Sequence, residues 1–278
     1  MKNTLKFLQT ALVLITLSLS SCTEQISNET PANAKTLFNP AETFTETDAP
    51  VTETIQEITL TTPWGYARTT NATRNYPLVV VGSWGEGTTV SQKAGKKYPA
   101  FFLDFNNKSS ETDGAFLAEL IDNAVKSNYR IDTNRIYLTD FSMGGSGSFK
   151  VVRGMLSKEK LFAAIIRVAG QSESTLADQA VSKTSIWYHI GLNDTQVRVD
   201  VARETYTKLK NHTTNSGAIE TITTDNSTGF SRETKTLRKD GVDIVKYSEY
   251  QGVGHDPGPC YKDEALFDWL FNQSLTLR

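Results

Sequence analysis

From residue 76 onward, short runs of β-branched and aromatic residues alternate with stretches of helical periodicity. YPLVVV (76–81), PAFFLDF (99–105), RIYLT (135–139), LFAAIIRVAG (161–170), SIWYHIG (185–191) and VDIVKYSEY (242–250) read as strands. Between them, 114–129 repeats apolar residues at helical spacing through Phe116, Leu117, Leu120, Ile121, Ala124 and Val125. Residues 148–157, 199–212 and 263–273 read as further helices. This order predicts an α/β fold with a mostly parallel central sheet and helices on both faces. Sites in such sheets form beyond the carboxyl ends of the strands. Ahead of the alternation, IQEITL (55–60) switches between apolar and polar residues, as an edge or hairpin strand does.

The first residues follow a different logic. Lys2 and Lys6 precede a short apolar run, FLQTALVLITLSL (7–19), which ends in LSSC, with Cys22 last. The run is short for a membrane span. A small-residue site closing on cysteine resembles a bacterial lipobox. That likeness implies a signal peptide over 1–21, acylation of Cys22 and an anchor in the bacterial cell envelope, at the outer membrane or cell surface. Residues 22–53 then form a lipidated cysteine and a tether rich in Thr, Glu, Ala, Pro and Asn, and 54–278 form the folded domain. With Cys22 acylated, Cys260 has no partner for a disulfide, since the chain has only two cysteines. A net charge of −2 argues against a nucleic-acid-binding surface. No spacing of Cys and His suits zinc.

One strand runs into DFSMGGSGSF (140–149), where the pattern turns abruptly glycine-rich and then helical. A serine between a strand and a helix, with small residues around it, has the context of a nucleophile elbow. The helix would aim its N-terminus at Ser142, and the Met143 N–H would serve as an oxyanion donor. The usual pattern is Gly-x-Ser-x-Gly, and Asp140 stands at the first glycine.

Two later loops offer the partners a nucleophilic serine needs. Asp194 follows the 185–191 strand in LNDTQV, and His255 follows the 242–250 strand in QGVGHDPGP. Among three histidines, His189 lies inside a strand and His212 lies at a polar helix end, so His255 is the candidate base. In chain order these are Ser142, Asp194, His255, which is the order of an α/β-hydrolase triad. The histidine would take the serine proton during attack on a carbonyl, and the carboxylate would orient the imidazole.

On YPLVVV, GSWGEG, YPAFFLDF, RIYLTDFSMGG, IWYHIGLNDTQV and EYQGVGHD, from about Tyr76 to Leu270, the chain resembles the esterase and depolymerase branch of the α/β-hydrolases. That branch includes polyhydroxybutyrate depolymerase-like proteins, feruloyl and acetylxylan esterases, and prolyl-oligopeptidase-type hydrolases. The resemblance implies a Ser142–Asp194–His255 serine esterase that works without cofactor or metal on an ester substrate, carbohydrate-linked in several members. The branch usually carries His-Gly after its first long strand; here the stretch is Gly82-Ser83-Trp84-Gly85, without the histidine. The Trp84 N–H, with Ser83 as alternative, is the expected second oxyanion donor, and the indole offers a face to a sugar or aryl group. Two other readings stay open: a serine peptidase of the prolyl-oligopeptidase type, and a degenerate hydrolase that binds surface glycans. Residues 213–241 are longer than a helix-to-strand link needs, and AIETITT and ETKTLRK are expected to pair as an added hairpin.

Overall fold

The computed structural model describes residues 49–66, 74–85, 87–171 and 176–278. The predicted signal peptide, Cys22 and the tether as far as residue 48 lie outside the described residues. The first strand, β1 (Thr52–Ile55), begins two residues inside the stretch assigned to the tether. It turns at Gln56 and Glu57, with φ 47 and 68, into β2 (Ile58–Thr61). Two consecutive left-handed residues make the tight turn whose twist matches an antiparallel pair. IQEITL is therefore the turn and second strand of a hairpin rather than one strand.

The predicted apolar runs become β3 (Tyr76–Val81), β4 (Phe101–Asp104), β5 (Ile131–Phe141), β6 (Ala164–Val168) and β7 (Ser185–Gly191). Every residue of β3, β6 and β7 is buried, as expected of strands covered on both faces. The 213–241 stretch forms the expected hairpin, β8 (Ile219–Asp225) with β9 (Arg232–Lys239), and leads into β10 (Val242–Tyr250). Among the described residues, ten strands form one sheet in the order β1-β2-β4-β3-β5-β6-β7-β10-β9-β8. The inner strands from β4 to β10 pair in parallel, while β1–β2 and β8–β9 add antiparallel ribbons at the two edges.

Helices connect the strands: α1 (Gly87–Ala94), α2 (Glu111–Leu120), α3 (Met143–Leu156), α4 (Asp178–Lys183), α5 (Gln196–Lys210), α6 (Gly258–Tyr261) and α7 (Glu264–Phe271). Ser110 caps α2 in a reciprocal box with Asp113, so the helix starts three residues before the apolar period does. A short π-helical turn, Ile121–Val125, continues it. The strand order reverses at β3, with β4 on one side and β5 on the other. Ligands in open α/β sheets bind beyond the strand ends at such a switch point. β3 ends at Val81 and β5 at Phe141, so the loop after one and Ser142 after the other meet there.

The added hairpin has a mechanical role. Arg232 at the start of β9 pairs with Asp263, the N-cap of α7, and both side chains are buried. It also reaches Asp225 at 2.9 Å and the Ser227 hydroxyl at 3.1 Å. The Gln251 N–H donates to the Ser231 carbonyl at 2.8 Å. These contacts bind the hairpin to both ends of the 251–263 segment. Removing one partner of a buried ion pair leaves an uncompensated charge, at a cost of about 3–5 kcal/mol. We expect Arg232→Met to lower unfolding free energy by about that amount in urea titration, with Asp263→Asn in the same background costing little more.

Candidate active site

Ser142 sits between β5 and α3 with φ 58 and ψ −116, outside the regions a side chain ordinarily permits. The turn persists because its surroundings dictate it. Its N–H donates to the Val168 carbonyl at 3.0 Å, and its carbonyl accepts from the Ser146 N–H at 3.0 Å. A Cβ on Gly144 would lie 2.1 Å from the Ser83 carbonyl oxygen, so only glycine fits where α3 meets the loop after β3. The Ser142 side chain makes no helix-capping bond, which leaves its hydroxyl to face the site at the helix N-terminus.

Asp140, the departure from the glycine pattern, is 2% exposed. Its side chain occupies space that Gly82 and Gly144 leave open. A Cβ on Gly82 would meet its Oδ2 at 2.8 Å, and one on Gly144 would meet its Cβ at 3.0 Å. Burial pushes its carboxyl well above the ordinary carboxylate range, and the charge of Arg167, its cross-strand neighbour, pulls back less.

The three predicted side chains meet. The Ser142 hydroxyl lies 2.8 Å from His255 Nε2, and His255 Nδ1 lies 2.6 Å from Asp194 Oδ2. With Asp194 ionised, Nδ1–H donates to it, and Nε2 accepts from the serine. The Asp194 side chain is 1% exposed, and its burial opposes ionisation. Hydrogen bonds from His255, from Arg198 Nη1 at 2.8 Å and from the Thr195 N–H at 2.7 Å outweigh that penalty and hold its carboxyl below the ordinary range.

Backbone bonds fasten the two loops together. Leu192 N–H donates to Tyr250 O at 2.9 Å and Asn193 N–H to Val253 O at 2.8 Å. Phe141 stacks obliquely on the His255 ring at 4.5 Å between centroids.

The loop after β3 is strapped to the elbow strand. Gly82 N–H donates to Thr139 O at 2.8 Å, and Phe141 N–H donates to Ser83 O at 3.2 Å. Trp84 has φ 62 and is 60% exposed, as is Met143. Ser83 is buried. A cavity of about 540 Å³ opens here, lined by Trp84, Phe141 and Pro257 among others.

The other histidines lie elsewhere. His189 is buried, with Nδ1 2.9 Å from the Tyr250 hydroxyl. His212 is not simply solvated. Its ring accepts from the Thr214 N–H at 3.3 Å and lies 3.0 Å from Asp178.

Two residues at the site carried no sequence signal strong enough to single them out. Arg198 stands one helical turn beyond Asp194, a spacing that pairs side chains on a helix face. Gln171 follows β6, with Nε2 3.4 Å from the Ser142 hydroxyl and its N–H on Ser146 Oγ at 2.5 Å.

No family model matches the chain, and no curated protein matches it in sequence. Solved structures do match in fold. A thermostable esterase aligns over 81% of this chain with TM-score 0.53 and 22% identity. The aligned part is 62% of that protein, so the chain spans less than two thirds of its length. An acetyl xylan esterase from Aspergillus awamori aligns over 81% of this chain and 100% of its own, with TM-score 0.54 and 14% identity. A protein designated FAE aligns over 86% of this chain and 91% of its own, with TM-score 0.51 and 12% identity. The chain has the α/β-hydrolase fold.

The Asp140 environment makes a signed prediction. Folded Asp140 keeps its proton at pH values where the unfolded carboxyl, titrating near 3.8, has lost it. Its contribution to stability is therefore complete at low pH and falls as pH rises above that value. Asp140→Asn removes this loss. Urea unfolding at pH 5 and pH 9 should show the variant gaining stability relative to the native protein as pH rises.

Proposed function

We propose that this chain is a serine hydrolase that cleaves carboxylic esters, with Ser142 as nucleophile, His255 as general base and acid, and Asp194 as the orienting carboxylate. The observation that carries this reading is the unbroken relay of two short hydrogen bonds through His255, set at the switch point of the sheet. His255 Nε2 takes the hydroxyl proton as Ser142 Oγ attacks the ester carbonyl. The tetrahedral oxyanion is held by the N–H of Met143, at the start of α3, and by that of Trp84 in the facing loop. The imidazolium then protonates the leaving alcohol. In the second half, water gives a proton to Nε2 as its oxygen attacks the acyl carbonyl; the acyl–Oγ bond then breaks, and the imidazolium returns that proton to Ser142 Oγ as the acid leaves. The ionised Asp194 stabilises the imidazolium in both halves. Arg198 keeps that carboxylate charged and aimed.

Ester is favoured over peptide because two of the solved structures similar in fold, the thermostable esterase and the acetyl xylan esterase, are esterases by name. A polysaccharide-linked ester is the substrate we favour, with Trp84 offering its exposed face to a sugar or aryl group at the cavity mouth. The intact Ser142–His255 bond weighs against a degenerate, purely glycan-binding protein. We further propose that the protein is tethered to the bacterial envelope through an acylated Cys22, a reading that rests on residues 1–22 alone.

Hydrolysis of p-nitrophenyl acetate and methyl ferulate tests the chemistry. Ser142→Ala should lower kcat by about 10⁶ and end labelling by a fluorophosphonate probe. Asp194→Asn should cost about 10⁴ while leaving Ser142 in place. Absence of both turnover and labelling in the native protein would falsify the esterase reading. The anchor is tested by growing expressing cells with an alkynyl palmitate analogue. The native chain should incorporate label and sediment with membranes, and Cys22→Ala should do neither.

A further inference from the structure

The chain leaving β6 is fixed residue by residue against the elbow. The Val168 carbonyl accepts from the Ser142 N–H at 3.0 Å, and the Ala169 N–H donates to the His189 carbonyl at 2.9 Å. Ala169 has φ 47, a conformation that a residue with a side chain adopts rarely. The Gly170 carbonyl accepts from the buried Tyr188 hydroxyl at 3.0 Å. The Gln171 N–H donates to Ser146 Oγ at 2.5 Å. Ser146 belongs to the first turn of α3, and its own N–H and hydroxyl both reach the Ser142 carbonyl, at 3.0 and 3.3 Å. The two segments meet backbone to backbone. A Cβ on Gly145 would lie 2.7 Å from the Val168 carbonyl oxygen, and one on Gly170 would lie 2.9 Å from the Gly145 carbonyl carbon. Strained backbone held by this many neighbours marks a place where geometry serves chemistry. What the bracing delivers is the half-buried side chain of Gln171, whose Nε2 lies 3.4 Å from Ser142 Oγ.

A serine hydroxyl has one proton to give and two lone pairs with which to accept. His255 Nε2, at 2.8 Å, receives the proton. Its ring proton is committed to Asp194 through Nδ1, so Nε2 has none to offer back. A second polar neighbour of Oγ must therefore donate, and the Gln171 amide carries the N–H that can. Together the two contacts fix the rotation of the hydroxyl. One neighbour takes its proton, the other occupies one lone pair, and the remaining lone pair attacks. A carboxamide neither gains nor loses a proton in this range, so Gln171 is no acid or base. Its effect is electrostatic. Negative charge builds on Oγ twice: as His255 removes the proton, and as the acyl–Oγ bond breaks and its electron pair returns to the oxygen. A donor already placed at that atom stabilises both. A separation of 3.4 Å is long for such a bond, and bonds of this kind in a free enzyme tighten as charge develops.

We propose that Gln171 is a catalytic residue whose Nε2–H donates to Ser142 Oγ, turns the hydroxyl toward His255 and stabilises the charge that passes over that oxygen. This deepens the serine hydrolase reading and rests on it. The protons still travel from Oγ through His255 to the leaving alcohol, and from water through His255 back to Oγ; Gln171 keeps its own. Two variants of nearly the same volume test the role. Gln171→Met removes the donor, and Gln171→Glu replaces it with an acceptor that is charged at neutral pH. Each is compared with the native protein for p-nitrophenyl acetate turnover and for the rate at which a fluorophosphonate labels Ser142. Gln171→Met should lower kcat and the labelling rate about tenfold, the worth of one hydrogen bond to a developing charge, with KM little changed. Gln171→Glu should be slower still at neutral pH. It should recover relative to Gln171→Met as pH falls and its carboxyl gains a proton to donate. A packing role predicts the opposite order, because Glu has the shape of Gln. Native rates in Gln171→Met overturn the proposal, as does an effect confined to KM or a Gln171→Glu protein that matches the native one at neutral pH. Urea unfolding checks that each variant folds. If Gln171→Met does not, Gln171→Glu decides against the native protein: a deficit that shrinks as pH falls supports the role, and a constant ratio overturns it. An active native protein with unimpaired variants sinks the Gln171 role alone. A native protein with neither turnover nor labelling sinks the hydrolase reading, and this role with it.

Discussion

The positive φ of Ser142 is the constraint around which the rest is arranged. A residue with a side chain adopts such a conformation only where its neighbours leave no other, at a cost of about 1–3 kcal/mol. Here the neighbours are a strand end, a helix start and the loop after β3. The helix approaches that loop so closely that Gly144 lies against the Ser83 carbonyl. The same closeness explains why Asp140 is tolerated. Gly82 and Gly144 supply the room that the missing elbow glycine would otherwise have given. The glycine requirement has moved to neighbouring positions, and a buried carboxyl fills the gap.

The rest of the site is fastened to this point by backbone rather than by side chains. The loop after β7 and the loop after β10 exchange hydrogen bonds through Leu192 and Asn193, so Asp194 and His255 are placed as a pair. The outer hairpin then braces the far side through Arg232. A hydrogen-bonded relay needs atoms placed within fractions of an ångström. Three loops meet that need here because each leaves a strand of one continuous sheet.

Much of this was legible in the residues. β3, β7 and β10 coincide with YPLVVV, SIWYHIG and VDIVKYSEY because buried parallel strands concentrate β-branched and aromatic side chains. The order of serine, aspartate and histidine, each after a strand, pointed to the cluster that the fold assembles. What failed was local. α3 begins at Met143, not 148, because its first turn, MGGSG, has poor helix propensity and is helical only through contacts with the elbow. α1, GTTVSQKA, opens on glycine and β-branched residues of low helix propensity, so its residues do not signal a helix. The turn at Gln56 and Glu57 lacks the usual Asn or Gly. Arg198 and Gln171 belong to the site only through tertiary proximity, which a linear pattern does not carry.

The Ser142–His255 contact joins residues 113 apart in sequence. A chain emerging from the ribosome thus carries Ser142 and the facing loop before His255 has been made. A domain folds as a unit, so the contact waits for the residues beyond β10. Ser142 Oγ meets His255 only where β10 lies against β7. Assembly of the three side chains and closure of the inner sheet are one step, and a fragment that stops short of residue 255 holds neither.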